Sequence, residues 1–454
     1  MTAPIHSLTI SALAPLLASR KLSSATLVEA CLAQIEQRQT ELNAFTTVLS
    51  ASAREQAALL DGEAARGRVR GPLHGVPVSL KDVIDVRGVP TTAASRVRDG
   101  HVARRDATVT QRLREAGAVL IGKCNLHEFA FGTTNEESAF GPVRNPHDPT
   151  RSPGGSSGGS AAAVVSGMCI ASVGTDTGGS IRIPSAACGL VGLKPAYGEL
   201  PCDGVVPLSP SLDHVGPLTR SVDDAWLMYQ VMAGVPKPPP LTADDLLGVG
   251  RLRIGIPTPY FLDVLDDDVR QRFESAVARL ANSGVRIEEV AVDHAAETAA
   301  VYLHLVLPEA AAFHAATLDT RPMDYTAPVR SRLQMARYVL AEDYVRATHG
   351  RVVLRRAVDA VLDGRHALML PTLPITAPVL GVSTVRIGKT EEAVRNVTLR
   401  LTQLFNVTGH PAVSIPLGSS GTDLPVGLQL VGHAGATTDL LRTALVCERR
   451  LAWS

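Results

Sequence analysis

Cysteine is sparse in this chain. Cys31, Cys124, Cys169, Cys188, Cys202 and Cys447 are scattered over 454 residues, with no C-x-x-C and no H-E-x-x-H. Neither a disulfide framework nor a common zinc site is signalled, so no metal and no cofactor is expected. Net charge is missing too: lysine plus arginine and aspartate plus glutamate number 44 each. That balance removes the electrostatic motive for a nucleic-acid or anionic-membrane partner. The opening MTAPIHSLTISALAPLLASRK has no basic leading segment and no A-x-A-type cleavage site. A run of about 18 apolar residues, enough to span a bilayer, is not expected anywhere. These absences leave a cytoplasmic, metal-free protein with a small neutral ligand as the natural expectation.

What is present is a chain able to bury a large core, 45% hydrophobic and 19% charged, without internal repeats or long low-complexity tracts. Near the start, Thr26 and Glu29 read as a capping box, followed by Leu27, Cys31 and Ile35 on one helix face. After the turn-rich GPLHGVP, the run VSLKDVIDV opens as a buried strand carrying Lys81. A helix around Ala107–Ala116, a stop at Gly117 and the strand AVLIG come next. A further unit joins RLRIGI, an amphipathic helix through Val269, Phe273, Val277 and Leu280, Gly284, and the strand VRIEEVAV. This alternation predicts a largely parallel sheet covered by helices. The proline-rich stretch between Met232 and Gly250 reads as a surface connection, and residues 293–365 as mostly helix without chemical signal.

Two serine and glycine clusters stand out, SPGGSSGGSAAAVVSG from Ser152 and GTDTGGSIR from Gly174. The first resembles a flexible loop in composition, but it lies mid-chain and leads into a short helix from Ser160. A phosphate loop needs a lysine after its last glycine, where this chain has Ser160 and Ala161. G-x-S-x-G is matched literally at Gly154–Gly158 and Gly155–Gly159, but a nucleophile elbow needs a strand feeding the turn, and GPVRNPHDPTRSP is not one. The second cluster follows a plausible buried strand, CIASVGT. Gly178 and Gly179 can turn successive N–H groups toward one point beside the Ser180 hydroxyl, the geometry of an oxyanion hole that still lacks a base.

These segments together resemble the amidase signature enzymes. The resemblance covers nearly the whole chain, through GPLHGVPVSLKD, GKCNLHEFAFGTTNEESAFGPVRNPHDPTRSPGGSSGGSAAAV, GTDTGGSIRIPSAACGLVGLKP and SLDHVGPLTRSVDDA, with LMLPTLPITAPVL, TGHPAVSIP and LPVGLQLVG as a C-terminal return. It implies an α/β fold of one domain over 1–454, a large twisted mixed β-sheet sandwiched between layers of α-helices. Within it the signature core covers about 71–232, a variable substrate-shaping region about 237–395 and the return about 396–454. It also implies a catalytic triad of Lys81, Ser156 on a cis peptide bond, and nucleophilic Ser180. Backbone N–H groups of Thr177, Gly178, Gly179 and Ser180 would form the oxyanion hole. Thr133, Thr134 and Asn135 match a loop that lines the acyl pocket, and Asp176 and Arg182 flank the nucleophile as a supporting pair.

The activity implied is hydrolysis of C–N bonds in amides, extending to aryl amides or carbamates, by a monomer or homodimer acting on a small molecule. Two alternatives are the glutaminase component of a tRNA-dependent amidotransferase and a non-catalytic binding protein on the same fold. Against the first, EAAAFHAATLDTRPMDYTAPVRSRLQ has nothing like the YDGVRYG stretch that such glutaminases carry. Against the second, all three catalytic positions are intact.

Overall fold

The apolar runs become strands of one sheet. The computed structural model describes residues 3–246, 248, 250–417 and 424–451. Residues 247 and 249 of the proline-rich connection, and 1, 2, 418–423 and 452–454 of the expected domain span, lie outside the described residues. The strands are β1 (Phe45–Val48), β2 (Pro77–Lys81), β3 (Val119–Cys124), β4 (Ala171–Asp176), β5 (Val191–Lys194), β6 (His214–Thr219), β7 (Arg253–Pro257), β8 (Arg286–Val290), β9 (Ala367–Pro371), β10 (Thr384–Ile387), β11 (Thr390–Ala393), β12 (Ala412–Pro416) and β13 (Gly427–Val431). Eleven form one sheet in the order β1-β3-β2-β4-β6-β5-β12-β13-β9-β7-β8, while β10 and β11 pair separately. Helices flank the sheet, and one hydrophobic cluster runs from Ile10 to Leu451.

The expectation of a largely parallel sheet is corrected. β3, β2 and β4 are parallel, as are β9, β7 and β8. From β4 through β6, β5, β12 and β13 to β9 every pairing is antiparallel. The α/β alternation is legible only at the two flanks. The central strands are buried along almost their whole length, and a strand covered on both faces reads as the same continuous apolar run in either direction.

Most local signals match the elements that form. The first long helix is Ser24–Leu42, but its cap is Ser23, whose Oγ accepts from Thr26 N at 3.0 Å, rather than Thr26 itself. Gly117, at φ 88°, turns the chain after the helix Thr108–Glu115. The helical character of 293–365 appears as Thr298–Thr320, Ala327–Ala336 and Ala341–Leu362. Here one reading needs amending: by length and composition the helical run Ala295–Thr320 is long and apolar enough to cross a bilayer. In the fold it packs against the other two helices. Its Glu309 accepts hydrogen bonds from Ser209, Ser211 and Tyr344, as a core helix would.

Candidate active site

β2 and β4 are parallel neighbours with Leu80 opposite Val173, so their carboxyl ends lie side by side. That edge is where open α/β sheets place their sites. β2 ends on Lys81, which is fully buried. Its Nζ donates to Ser156 Oγ at 2.7 Å and to Thr175 Oγ1 at 2.8 Å. Burial pushes its pKa down from 10.5 to about 7, against the opposing pull of the Asp176 and Asp213 carboxylates. Desolvation disfavours the ammonium form, so a substantial share of the side chain is neutral amine near pH 7.

The first glycine cluster proves to be packing rather than flexibility. Ser152 through Val164 are all buried. A Cβ on Gly155 would lie 2.9 Å from Asn135 N, and one on Gly159 only 2.3 Å from the Asn125 carbonyl oxygen. Glycine is required because backbone meets backbone there. The Gly155–Ser156 peptide is cis, as the resemblance implied. Ser157 faces elsewhere: its Oγ donates to the Thr175 carbonyl at 3.3 Å, and its N–H donates to the Ser180 carbonyl at 3.2 Å, tying the two serine loops together. No hydrogen bond joins Ser156 Oγ to Ser180 Oγ among the described residues; catalytic hydrogen bonds often tighten only with substrate bound.

The second cluster follows β4. Gly179 adopts φ 139°, which L side chains rarely tolerate. A Cβ on Gly178 would come within 2.5 Å of Tyr302 Oη. Among the described residues none of the N–H groups of Thr177, Gly178, Gly179 and Ser180 donates to a protein acceptor. Ser180 is 6% exposed. It opens on a small cavity bordered also by Thr177, Gly178, Thr133, Phe131, Tyr302 and Arg395. A hydroxyl and unengaged donors beside such a cavity can receive an oxyanion.

Of the expected acyl-pocket loop, only Thr133 borders this cavity. Thr134 Oγ1 donates to Glu136 at 3.1 Å, and Asn135 Oδ1 accepts from Gly158 N at 2.9 Å, at the start of the helix Gly158–Val165. Asp176 and Arg182 do pair: Arg182 Nη2 lies 2.9 Å from Asp176 Oδ1, both side chains fully buried. Arg182 also donates to Gln429 Oε1 at 2.7 Å and Asn406 Oδ1 at 2.6 Å. Burial would raise the Asp176 carboxyl, but the Arg182 charge and hydrogen bonds hold it well below the usual carboxylate range. Asp176→Asn therefore leaves a buried guanidinium without its counter-charge, and should cost about 3 kcal/mol of stability. Denaturant unfolding measures this; a loss under about 0.5 kcal/mol, the scale of ordinary surface changes, would show the pair to be dispensable.

Several participants are not marked by the sequence alone. Thr175 is the second partner of Lys81. Asp213, pushed up to about 6 by burial against its hydrogen bonds from Thr177 and the Leu208 and Ser209 N–H groups, accepts from Thr177 Oγ1 at 2.5 Å and pins the loop that follows β4. It lies within the motif SLDHVGPLTR, which is the signal that could have found it. Tyr302 and Arg395 come from remote helices, with no local spacing to mark them.

Residues 26–441 match the family model described as Amidase. The chain is 41% identical to an amidase of Pseudomonas putida over 461 residues, covering 98% of this chain and 96% of that one. It is 38% identical to the A component of the glutamyl-tRNA(Gln) amidotransferase of Anaeromyxobacter dehalogenans (strain 2CP-C), covering 96% and 94%. A crystal structure of an amidase superposes with a TM-score of 0.91 at 38% identity, covering 98% of this chain and 100% of the other. The chain belongs to the amidase family, and it is an amide-hydrolysing enzyme.

Proposed function

We propose that the protein is a stand-alone serine amidase whose nucleophile is Ser180, activated by Lys81 through Ser156. The observation that carries this is the buried 2.7 Å contact between Lys81 Nζ and Ser156 Oγ, next to the Ser157 N–H that donates to the Ser180 carbonyl. Ser180 Oγ attacks the amide carbonyl and forms a C–O bond, while its proton passes to Ser156 and the Ser156 proton to Lys81 Nζ. The N–H groups of Thr177, Gly178, Gly179 and Ser180 take the oxyanion. Collapse breaks the C–N bond, and Ser156 protonates the leaving nitrogen as Lys81 returns its proton. Water then attacks the ester by the same relay, releasing the carboxylic acid and restoring Ser180.

The finer part of this reading concerns the acyl group. The pocket beside Ser180 is walled by Phe131, Leu208, Tyr302 and Leu399, and amides and carbamates both fall within this acyl-transfer chemistry. The second reading, the glutaminase component of an amidotransferase, is favoured by the 38% identity to such a protein. Purified protein eluting alone and hydrolysing amides supports the first reading; activity only with added partner proteins supports the second.

The relay has its own test. Ser156→Ala should lose about 10²–10⁴-fold in kcat, the range for a positioned proton-transfer group. Ser157→Ala removes one long hydrogen bond and should stay within about tenfold. If Ser157→Ala is the slower enzyme in steady-state assays, the relay runs through the other serine.

A further inference from the structure

The helix Ala341–Leu362 has two apolar stripes, where a helix on a protein surface normally has one. The first is Ala347, Leu354, Val358 and Leu362, all buried. It packs toward the helix Thr298–Thr320, so closely that a Cβ on Gly350 would come 2.8 Å from Val301. The second stripe lies on the other side, and among the described residues nothing covers it. Val345, Val352 and Val353 are 50%, 47% and 44% exposed, and His349 between them is exposed as well.

Exposed valines scattered singly are ordinary, but these are in register. Glu342, Val345, His349, Val352 and Arg356 recur at intervals of three, four, three and four residues, the spacing of a seam along which one helix meets another. From Glu342 to Arg356 the seam runs about 21 Å.

The charges at its two ends decide which partner fits. Glu342 stands at one end and Arg356 at the other, with His349 midway, seven residues from each. Arg346 lies 2.9 Å from Asp343 and 3.4 Å from Glu342, so its charge is met within the helix. Arg356 is exposed and has no ion pair among the described residues. A second copy of the helix, laid antiparallel about a twofold axis at His349, brings Glu342 of each copy against Arg356 of the other. One symmetry operation makes two ion pairs. The same axis sets Val345 against Val353 and lays the Arg346 stem on Val352. A parallel pairing would set like charge against like at both ends.

We infer that the protein forms a homodimer through the helix Ala341–Leu362, paired antiparallel with its counterpart about His349. The pairing goes beyond the amidase reading and does not depend on it. One helix face of this length is smaller than the roughly 800 Å² per partner of a standard interface, so the dimer is reversible.

Sedimentation velocity on the full chain, from about 1 to 300 μM, tests this. The wild type should shift from one chain toward two as concentration rises. Val353→Glu, at an exposed position where the fold itself loses little, should raise the dissociation constant at least about tenfold by setting a carboxylate into the apolar seam of each copy. Glu342→Arg and Arg356→Glu, each setting like charge against like at both ends, should each weaken association about tenfold. Combining the two should restore it to the wild-type value, which a loss of helix stability would not do. A wild type that stays one chain throughout overturns the dimer. So does a dimer that neither Val353→Glu nor Glu342→Arg weakens, because it uses another face. Single charge variants that weaken association with no recovery in the combination contradict the antiparallel pairing.

Discussion

Ser180→Ala is expected to lower kcat by about 10³–10⁶-fold while leaving the folded state in place. The substitution deletes one hydroxyl that makes no hydrogen bond among the described residues, so it neither opens a large void nor strands a partner. The residual rate would come from the oxyanion donors at Thr177 to Ser180 and from substrate positioning, which do not need the nucleophile. A serine-directed fluorophosphonate should label the wild type and not this variant. Thermal unfolding alongside the kinetics shows that the loss is chemical. Activity within tenfold of the wild type would remove Ser180 from the mechanism.

The second large effect belongs to Lys81. With a pKa lowered to about 7, neutral amine makes up about a tenth of Lys81 at pH 6 and about nine-tenths at pH 8. In the proposed relay the neutral form is the base, so kcat/KM should climb with rising pH through neutrality and level off above about pH 8. A histidine base would place the midpoint near its own ordinary value of about 6.5, so the mutants must carry the assignment. Lys81→Ala should lose at least about 10³-fold together with the pH-dependent limb. Lys81→Arg should not rescue it, because guanidinium keeps its proton throughout this range. Asp213, pushed up to about 6, titrates at the lower end and faces Thr177, so the limb below pH 6 reflects both groups. An active Lys81→Arg enzyme with the wild-type pH profile would mean that the base lies elsewhere.

How much of this is legible in the sequence depends on how local each signal is. Lys81, Ser156 and Ser180 sit in short ordered motifs, and the glycines around them are fixed by backbone contacts, such as Gly155 against Asn135 and Gly159 against Asn125. Those constraints are written into contiguous residues. The direction of the central strands is not legible, because β5, β6, β12 and β13 are covered on both faces and lose the alternation that reveals a half-exposed strand. The cavity beside Ser180 is harder still. Tyr302, Arg332 and Arg395 belong to separate helices, 30 and then 63 positions apart along the chain, and each is an ordinary helical residue by its neighbours. Only tertiary packing brings the two guanidiniums onto Phe131. Residues 293–365, which carry no chemical signal in sequence, supply two of these three side chains. The Thr133–Asn135 loop shows the converse: its motif is visible, but Asn135 turns inward to the Gly158 N–H and only Thr133 reaches the cavity.

The central claim, that Ser180 is acylated with neutral Lys81 as the ultimate base, is tested most directly by following fluorophosphonate labelling against pH and mapping the adduct by mass spectrometry. The account predicts a single adduct on the peptide bearing Ser180, formed at a rate that rises through about pH 7 and that falls to background in Lys81→Ala. An adduct on Ser156 or Ser157, or a labelling rate that ignores both pH and Lys81, would contradict it.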